Sequence, residues 1–143
     1  MAQRFNDPSW LRAGQWVADC PPADYTNLTI VGVPAHLTSV TPTNAHLTPA
    51  AVRDAMYWYG TWSWAHDLDI STLSIRDAGD VKDPDFEEGN ERVFAKMREL
   101  RGTQDLLVAL GGDNAITYTV ARGLWGDDIA TAGLITVDAH HDL

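Results

Sequence analysis

Continuous apolar runs and helical spacings alternate along this chain. Leu28 to Val33 is an apolar-rich stretch of strand length, the pattern of a strand covered on both faces. Leu106 to Leu110 and Gly133 to Val137 repeat it, and Thr72 to Ile75 is a shorter strand candidate. Between them lie helices. Thr48-Pro49 places threonine at N-cap and proline at N1 of a helix whose Val52, Met56 and Tyr59 share one buried face. Glu91 to Leu100 sets Val93, Met97 and Leu100 at i, i+4, i+7, with Gly102 as its C-cap. Ala115 to Leu124 makes another helix, and Asp7-Pro8 opens a short one through Trp10 and Trp16 that Cys20-Pro21-Pro22 ends. Pro34 to Leu47, rich in Thr, Pro and Asn and holding His36 and His46, reads as a loop leaving the first strand's C-terminal end. Alternation of strand and helix predicts an α/β fold with a parallel sheet and helices on its faces.

Composition narrows the picture. A chain of 143 residues suits one domain with a substantial core, and 45 % hydrophobic against 21 % charged residues is ordinary for a globular protein. Twenty acidic residues against ten basic give a net charge of −10, which argues against nucleic acid as a partner. The acidity serves solubility in the first place. Cys20, the single cysteine, excludes an internal disulfide and suits a reducing compartment. With neither the apolar core of a signal peptide nor a run of about 20 apolar residues, the expectation is a cytoplasmic protein that does not span a membrane. The aromatic run Tyr57, Trp58, Tyr59, Trp62 and Trp64 is read as packing of a helix end against a neighbour or subunit rather than as a ligand box.

Two loops at strand ends carry the chemistry. Gly111-Gly112-Asp113-Asn114 lies between a strand and a helix; paired glycines permit a sharp turn and a close approach. On spacing alone Asp113 or Asn114 caps the following helix, and the lysine and hydroxyl of a phosphate-binding P-loop are missing. The second loop is Asp138-Ala139-His140-His141-Asp142, with carboxylate, imidazole and carboxylate at alternate positions, a donor set for a divalent ion. Ideal strand geometry separates Asp138 from Asp142 by about 13 Å, so the segment bends or serves two ions roughly 3.5–4 Å apart. Ligands bind outside the carboxyl ends of strands in open α/β sheets, and both loops lie at that edge.

With these motifs in place, the chain resembles the N-terminal half of a ureohydrolase, the family of arginase, agmatinase and formimidoylglutamase, over about residues 28 to 142. Val31-Gly32-Val33-Pro34 resembles the first strand and its exit, and Thr48-Pro49-Ala50-Ala51-Val52-Arg53 the family's helix start. Asp77-Ala78-Gly79-Asp80-Val81 resembles its Asp-x-Gly-Asp-Val segment. Leu110-Gly111-Gly112-Asp113 and Asp138-Ala139-His140-His141-Asp142 resemble its two N-terminal metal motifs, the last being the most specific. The resemblance implies a three-layer α/β fold, a mostly parallel sheet with helices on both faces, truncated here after about the fourth strand. Residues 1–27 would be an N-terminal extension and 28–143 the N-terminal half of the metallohydrolase domain. It also implies two manganese ions, a trimer or hexamer, and hydrolysis of a C–N bond in a formimino or guanidino group of a small molecule. Asp138 would match the carboxylate bridging both ions, His140 a ligand of one, and Asp142 a ligand of the other. Asp142 would also be catalytic, by hydrogen-bonding the bridging hydroxide.

Two departures qualify the match. Asn114 stands where the family's Gly-Gly-Asp-His places a metal-binding histidine, and a neutral amide oxygen is the weaker manganese ligand. The expectation is therefore one site of reduced affinity, a single-metal enzyme or a different preferred ion; His141, pointed away by alternation, does not compensate. The family's later Asp-x-Asp strand, proton shuttle and most substrate loops are absent from these 143 residues. Taken alone the chain should not catalyse, and its open sheet edge should make the isolated segment aggregation-prone. Formimidoylglutamase-like activity is the leading expectation, since Gly-Gly-Asp-Asn with Asp-Ala-His-His-Asp resembles that branch; agmatinase or another guanidino-acid ureohydrolase is the alternative. A non-catalytic paralogue assembling with an active partner is the reading from another class. Histone-deacetylase-like amidohydrolases share an Asp-x-His-His segment but lack an aspartate at the position of Asp142.

Overall fold

The computed structural model describes residue 7 and residues 9–138. Three parallel strands form its main sheet: β1 (Thr26–Val33), β4 (Ile75–Asp80) and β5 (Gln104–Gly111), in the order β4-β1-β5. A two-stranded antiparallel hairpin, β2 (Trp62–Ser63) with β3 (Leu68–Asp69), stands apart from it. Four helices complete the chain: α1 (Ala13–Asp19), α2 (Thr48–Met56), α3 (Phe86–Leu100) and α4 (Ile116–Trp125). Helices on both faces of a parallel sheet are the architecture expected from the alternation.

β1 lies in the middle because its side chains are apolar on both faces. Leu28 and Ile30 point to one side, where Trp16 and Val17 of α1, Met56 of α2 and Ile75 of β4 close over them. Val31 and Val33 point to the other, onto Val93, Met97 and Leu100 of α3, with Ile116, Val120 and Leu124 of α4 beside them. The period of two along the strand thus feeds two cores. Val93, Met97 and Leu100 are almost wholly buried, at the spacing that predicted them. α3 and α4 approach closely at Gly123, where a Cβ would lie 2.6 Å from that of Met97.

Several boundaries differ from the sequence reading, each for a physical reason. α1 begins at Ala13 rather than near Asp7, although Cys20-Pro21-Pro22 ends it as expected. Its Trp16 belongs to the core, inside the stretch expected to be an extension. Thr48 is already helical (φ −58°, ψ −47°), because a 3₁₀ turn, Ala45–Leu47, runs straight into α2 and leaves no N-cap bond to make. Tyr59 lies beyond the end of α2 and is exposed, as are Trp58, Trp62 and Trp64. Tyr57 alone of that run packs inward, its ring against Gly14 of α1.

The short strand expected at Thr72 to Ile75 starts only at Ile75 and runs on through Asp80; Ile70–Thr72 is a 3₁₀ turn. α3 starts five residues earlier than Glu91. The expected last strand, Gly133 to Val137, forms no strand here. Ile135 is 93 % and Val137 99 % exposed, since an apolar run becomes a strand only beside a partner and none among the described residues flanks it. No described helix is long and apolar enough to cross a membrane.

Candidate metal centre

Because β1, β4 and β5 are parallel, Val33, Asp80 and Gly111 gather at one edge of the sheet. Neighbouring β1 and β5 send their chains to opposite faces, β1 towards α2 and β5 towards α4. In such a sheet, the carboxyl ends of strands that diverge in this way are the usual place for a ligand. The loop 34–47 and the segment Gly111-Gly112-Asp113-Asn114 meet there.

The glycine pair is dictated by that meeting. A Cβ on Gly112 would run into the backbone carbonyl of Ala35, and one on Gly111 would lie 2.6 Å from Ile116 Cδ1. With glycine present, Gly112 N–H donates to Val33 O (3.2 Å) and Asp113 N–H to Ala35 O (2.9 Å). Asp113 then divides its carboxylate. Oδ1 accepts from Ala115 N–H at 3.1 Å, supporting the entry to α4, and Oδ2 accepts from Ser39 Oγ at 2.7 Å. Asn114 Oδ1 accepts from Thr117 Oγ1 at 3.0 Å, and its carbonyl from Thr117 N–H. Of the two residues expected as alternative caps, Asp113 supports the turn before α4 through Ala115 N–H, but the N-cap itself is Ala115 with no side-chain bond, and the Asn114 side chain meets a hydroxyl rather than a helix N–H.

The rest of the predicted donor set is not assembled in the described residues. Asp138 is exposed, at the end of the irregular stretch that follows Ala132. His140, His141 and Asp142 lie outside the described residues. Among the described residues no three His, Cys, Asp or Glu side chains converge in a way that would hold an ion.

Spacing alone missed two clusters at the same edge. Arg53 of α2 reaches the end of β4, donating through Nε to Asp77 Oδ2 (2.6 Å), Nη2 to Asp77 Oδ1 (2.9 Å) and Nη1 to Asp80 Oδ1 (2.6 Å). Burial pushes the Asp77 carboxyl up, but the Arg53 guanidinium and the N–H of Gly79 outweigh it and hold it below its ordinary range. Asp80 in turn lies over Gly32, where a Cβ would collide with its Oδ1. Both ends of this clamp lie in segments that carry the family resemblance, which is the signal that would have paired them.

The second cluster surrounds a cavity of about 730 Å³ lined by His36, His46, Asp85, Phe86, Glu88 and Arg92, among others. The rings of His36 and His46 are 4.2 Å apart, and each Nδ1 is buried without a hydrogen-bond partner. Asp85 Oδ1 accepts from the N–H groups of His36 and Leu37, both at 2.8 Å, and Oδ2 lies 3.6 Å from His36 Nδ1.

Comparison with known proteins places this edge in context. The family model described as the arginase family matches residues 26–143. The formimidoylglutamase of Halalkalibacterium halodurans is 28 % identical over 118 residues, covering 80 % of this chain and 37 % of the relative. The agmatinase of Pyrococcus horikoshii is 30 % identical over 128 residues, covering 87 % and 42 %. A crystal structure of Trypanosoma cruzi formiminoglutamase, oxidised and with Mn²⁺, superposes with a TM-score of 0.76 at 23 % identity, over 91 % of this chain and 46 % of that one. The likeness in structure fixes the fold. The chain spans about two-fifths of the length of the curated relatives it matches.

Proposed function

The chain belongs to the arginase family, and from that premise we propose that the whole protein hydrolyses a C–N bond in the formimino group of a small amino-acid derivative, as a formimidoylglutamase. The observation that carries this reading is the family match across residues 26–143, which includes Asp138, His140 and Asp142. The formimidoylglutamase names among the relatives support the choice of group. The 30 % identity to an agmatinase supports a second reading, with a guanidino substrate and urea as product.

Carboxylates, an imidazole and an amide oxygen form a donor set that suits Mn²⁺. Asp138, His140 and Asp142 would hold two such ions, with Asn114 on the weaker one, and bound there they supply Lewis acidity and a lowered pKa for water. Residues 28–143 contribute this half of the centre, preceded by 1–27, and the whole assembles as a trimer or hexamer. The chain's own work is placement. The Gly112 and Asp113 N–H groups fasten the end of β5 to the exit of β1, while Ser39 and Ala115 fix the Asp113 carboxylate beside Asn114. Arg53 holds the end of β4 level with both.

The test is direct. Full-length protein loaded with Mn²⁺ is given N-formimidoyl-glutamate, agmatine or arginine, and formamide and urea are measured. Formamide from the first substrate supports the proposal. Urea from agmatine with no formamide replaces it with the second reading, and neither product from any substrate favours a non-catalytic paralogue.

A further inference from the structure

From the end of β4 into the first residue of α3 the backbone adopts what local chemistry disfavours. Asp83 (φ 45°) and Phe86 (φ 61°) both lie in the left-handed region that residues with a Cβ avoid. Asp67 is the one other non-glycine residue of that kind among those described. Between the two sits Asp85, at the N-cap of α3. An aspartate there ordinarily accepts from the first N–H groups of its own helix, yet Asp85 makes no such bond. Its carboxylate turns away into the interior, 7 % exposed, and accepts the N–H groups of His36 and Leu37. A carboxylate buried that far persists only when hydrogen-bonded, and charge-assisted bonds to backbone N–H are strong ones. Strain at two residues and a forgone helix cap are thus offset by one result, the fixing of residues 36–37 to α3. Strain of this kind collects where a function depends on the placement it enforces.

What residues 36–37 fix is the loop that holds the end of β5. Immediately before them, Ala35 O accepts the Asp113 N–H; two residues beyond, Ser39 Oγ donates to the Asp113 carboxylate. Asn114 follows directly. We propose that Asp85 is a positioning residue for the metal end of the fold, setting the placement of Gly112-Asp113-Asn114 through the loop 34–47 without touching metal or substrate. The role rests on the hydrolase reading only for what the centre does; that Asp85 governs it stands on the contacts.

The experiment uses full-length protein, with Mn²⁺ alone as the probe. Asp85→Ala, Asp85→Asn, Ser39→Ala and the double variant Asp85→Ala with Ser39→Ala are titrated calorimetrically with Mn²⁺, and thermal unfolding of the metal-free forms is followed in parallel. Asp85→Ala and Ser39→Ala should each weaken Mn²⁺ binding by about ten- to a hundredfold, the range for groups that orient ligands from behind. The double variant should be no weaker than the worse single one, because both act along one path. Asp85→Asn, which keeps an acceptor oxygen, should recover most of the loss. Unchanged Mn²⁺ affinity in folded Asp85→Ala, even with a lowered melting temperature, makes Asp85 a structural residue only and overturns the proposal, as do additive losses. If Asp85→Ala does not fold, Ser39→Ala and Asp85→Asn decide: weakened affinity in the first with near-normal affinity in the second supports the role, and any other pattern overturns it. The expected Mn²⁺ pattern in a protein that releases neither formamide nor urea removes the hydrolase reading and leaves Asp85's role intact. Wild-type protein that takes up no Mn²⁺ overturns both.

Discussion

Replacing Arg53 by alanine tests the idea that α2 and β4 are joined by charge rather than by packing. Three short hydrogen bonds join its guanidinium to Asp77 and Asp80, and the Arg53 and Asp77 side chains are only 23 % and 26 % exposed. Asp80, at 43 %, is more open to solvent and contributes little. The loss comes mostly from Asp77, left as a half-buried carboxylate without its partner. Hydrogen bonds to charged groups contribute about 1.5–3 kcal/mol, so a net loss of about 2 kcal/mol follows after allowing for partial solvation. For a chain of this size that lowers the melting temperature by roughly 4–8 °C.

The pH dependence supplies the sharper test. The folded state holds the Asp77 carboxyl below its unfolded value, so its contribution is fully present above the unfolded pKa of about 4 and disappears as pH falls through the folded pKa. Urea unfolding followed by circular dichroism should therefore give a wild-type advantage near pH 7 that narrows below about pH 4. An Arg53→Ala deficit equally large at pH 7 and pH 3 would mean that packing of the arginine stem, not the ion pair, carries the effect.

Three further perturbations read other parts of the molecule. Gly112→Ala drives a methyl into the Ala35 carbonyl and should destabilise by about 1–3 kcal/mol while weakening Mn²⁺ uptake; a neutral variant in both respects would contradict the close approach. Met97→Ala empties a fully buried position between α3 and the sheet and should lower unfolding free energy by about 2–5 kcal/mol in urea titrations, with a loss below about 1 kcal/mol counting against a tight core there. Asn114→His, which breaks the bond to Thr117 but supplies an imidazole, should tighten Mn²⁺ binding by about tenfold, equal to about 1.4 kcal/mol; unchanged or weaker binding would remove position 114 from the ligand set.

β1 was legible in the sequence because a buried parallel strand needs apolar side chains on both faces and shows them as an unbroken run; β5 shows the same run, although as an edge of the described sheet it is at most half-buried. α3's buried stripe was legible for the matching reason at helical period. The failures share a cause in tertiary contacts. Asp77 and Asp80 look like loop residues until Arg53, twenty-four residues earlier than the first, pairs with them at the end of β4. Asp85, a residue type that favours the N-cap, marks the start of α3, but that its carboxylate serves the loop after β1 instead of its own helix was not legible. Gly133 to Val137 has the composition of a strand, yet a strand is a pairing and composition describes one side of it. At the centre, the bond by which Asp113 supports the turn into α4 followed from spacing, although Ala115 takes the N-cap. The contacts of Ser39 and Asp85 did not, since they join residues 74 and 49 positions from their partners.

The place of β1 in the sheet has a consequence for synthesis. Its partner β4 arrives about fifty residues later, and β5, which pairs Gln104 with Thr26, about eighty residues later. At roughly 5–20 residues per second, β1 leaves the ribosome several seconds before either edge can be satisfied. During that interval Leu28 to Val33 is an unpaired, strongly apolar segment with every ladder N–H and C=O open, the kind of stretch that pairs with whatever strand it meets first. The nascent chain's window of vulnerability is therefore set by the central strand being the first one made. Slowing translation between residues 34 and 104 should raise aggregation more than slowing it anywhere after β5 has emerged.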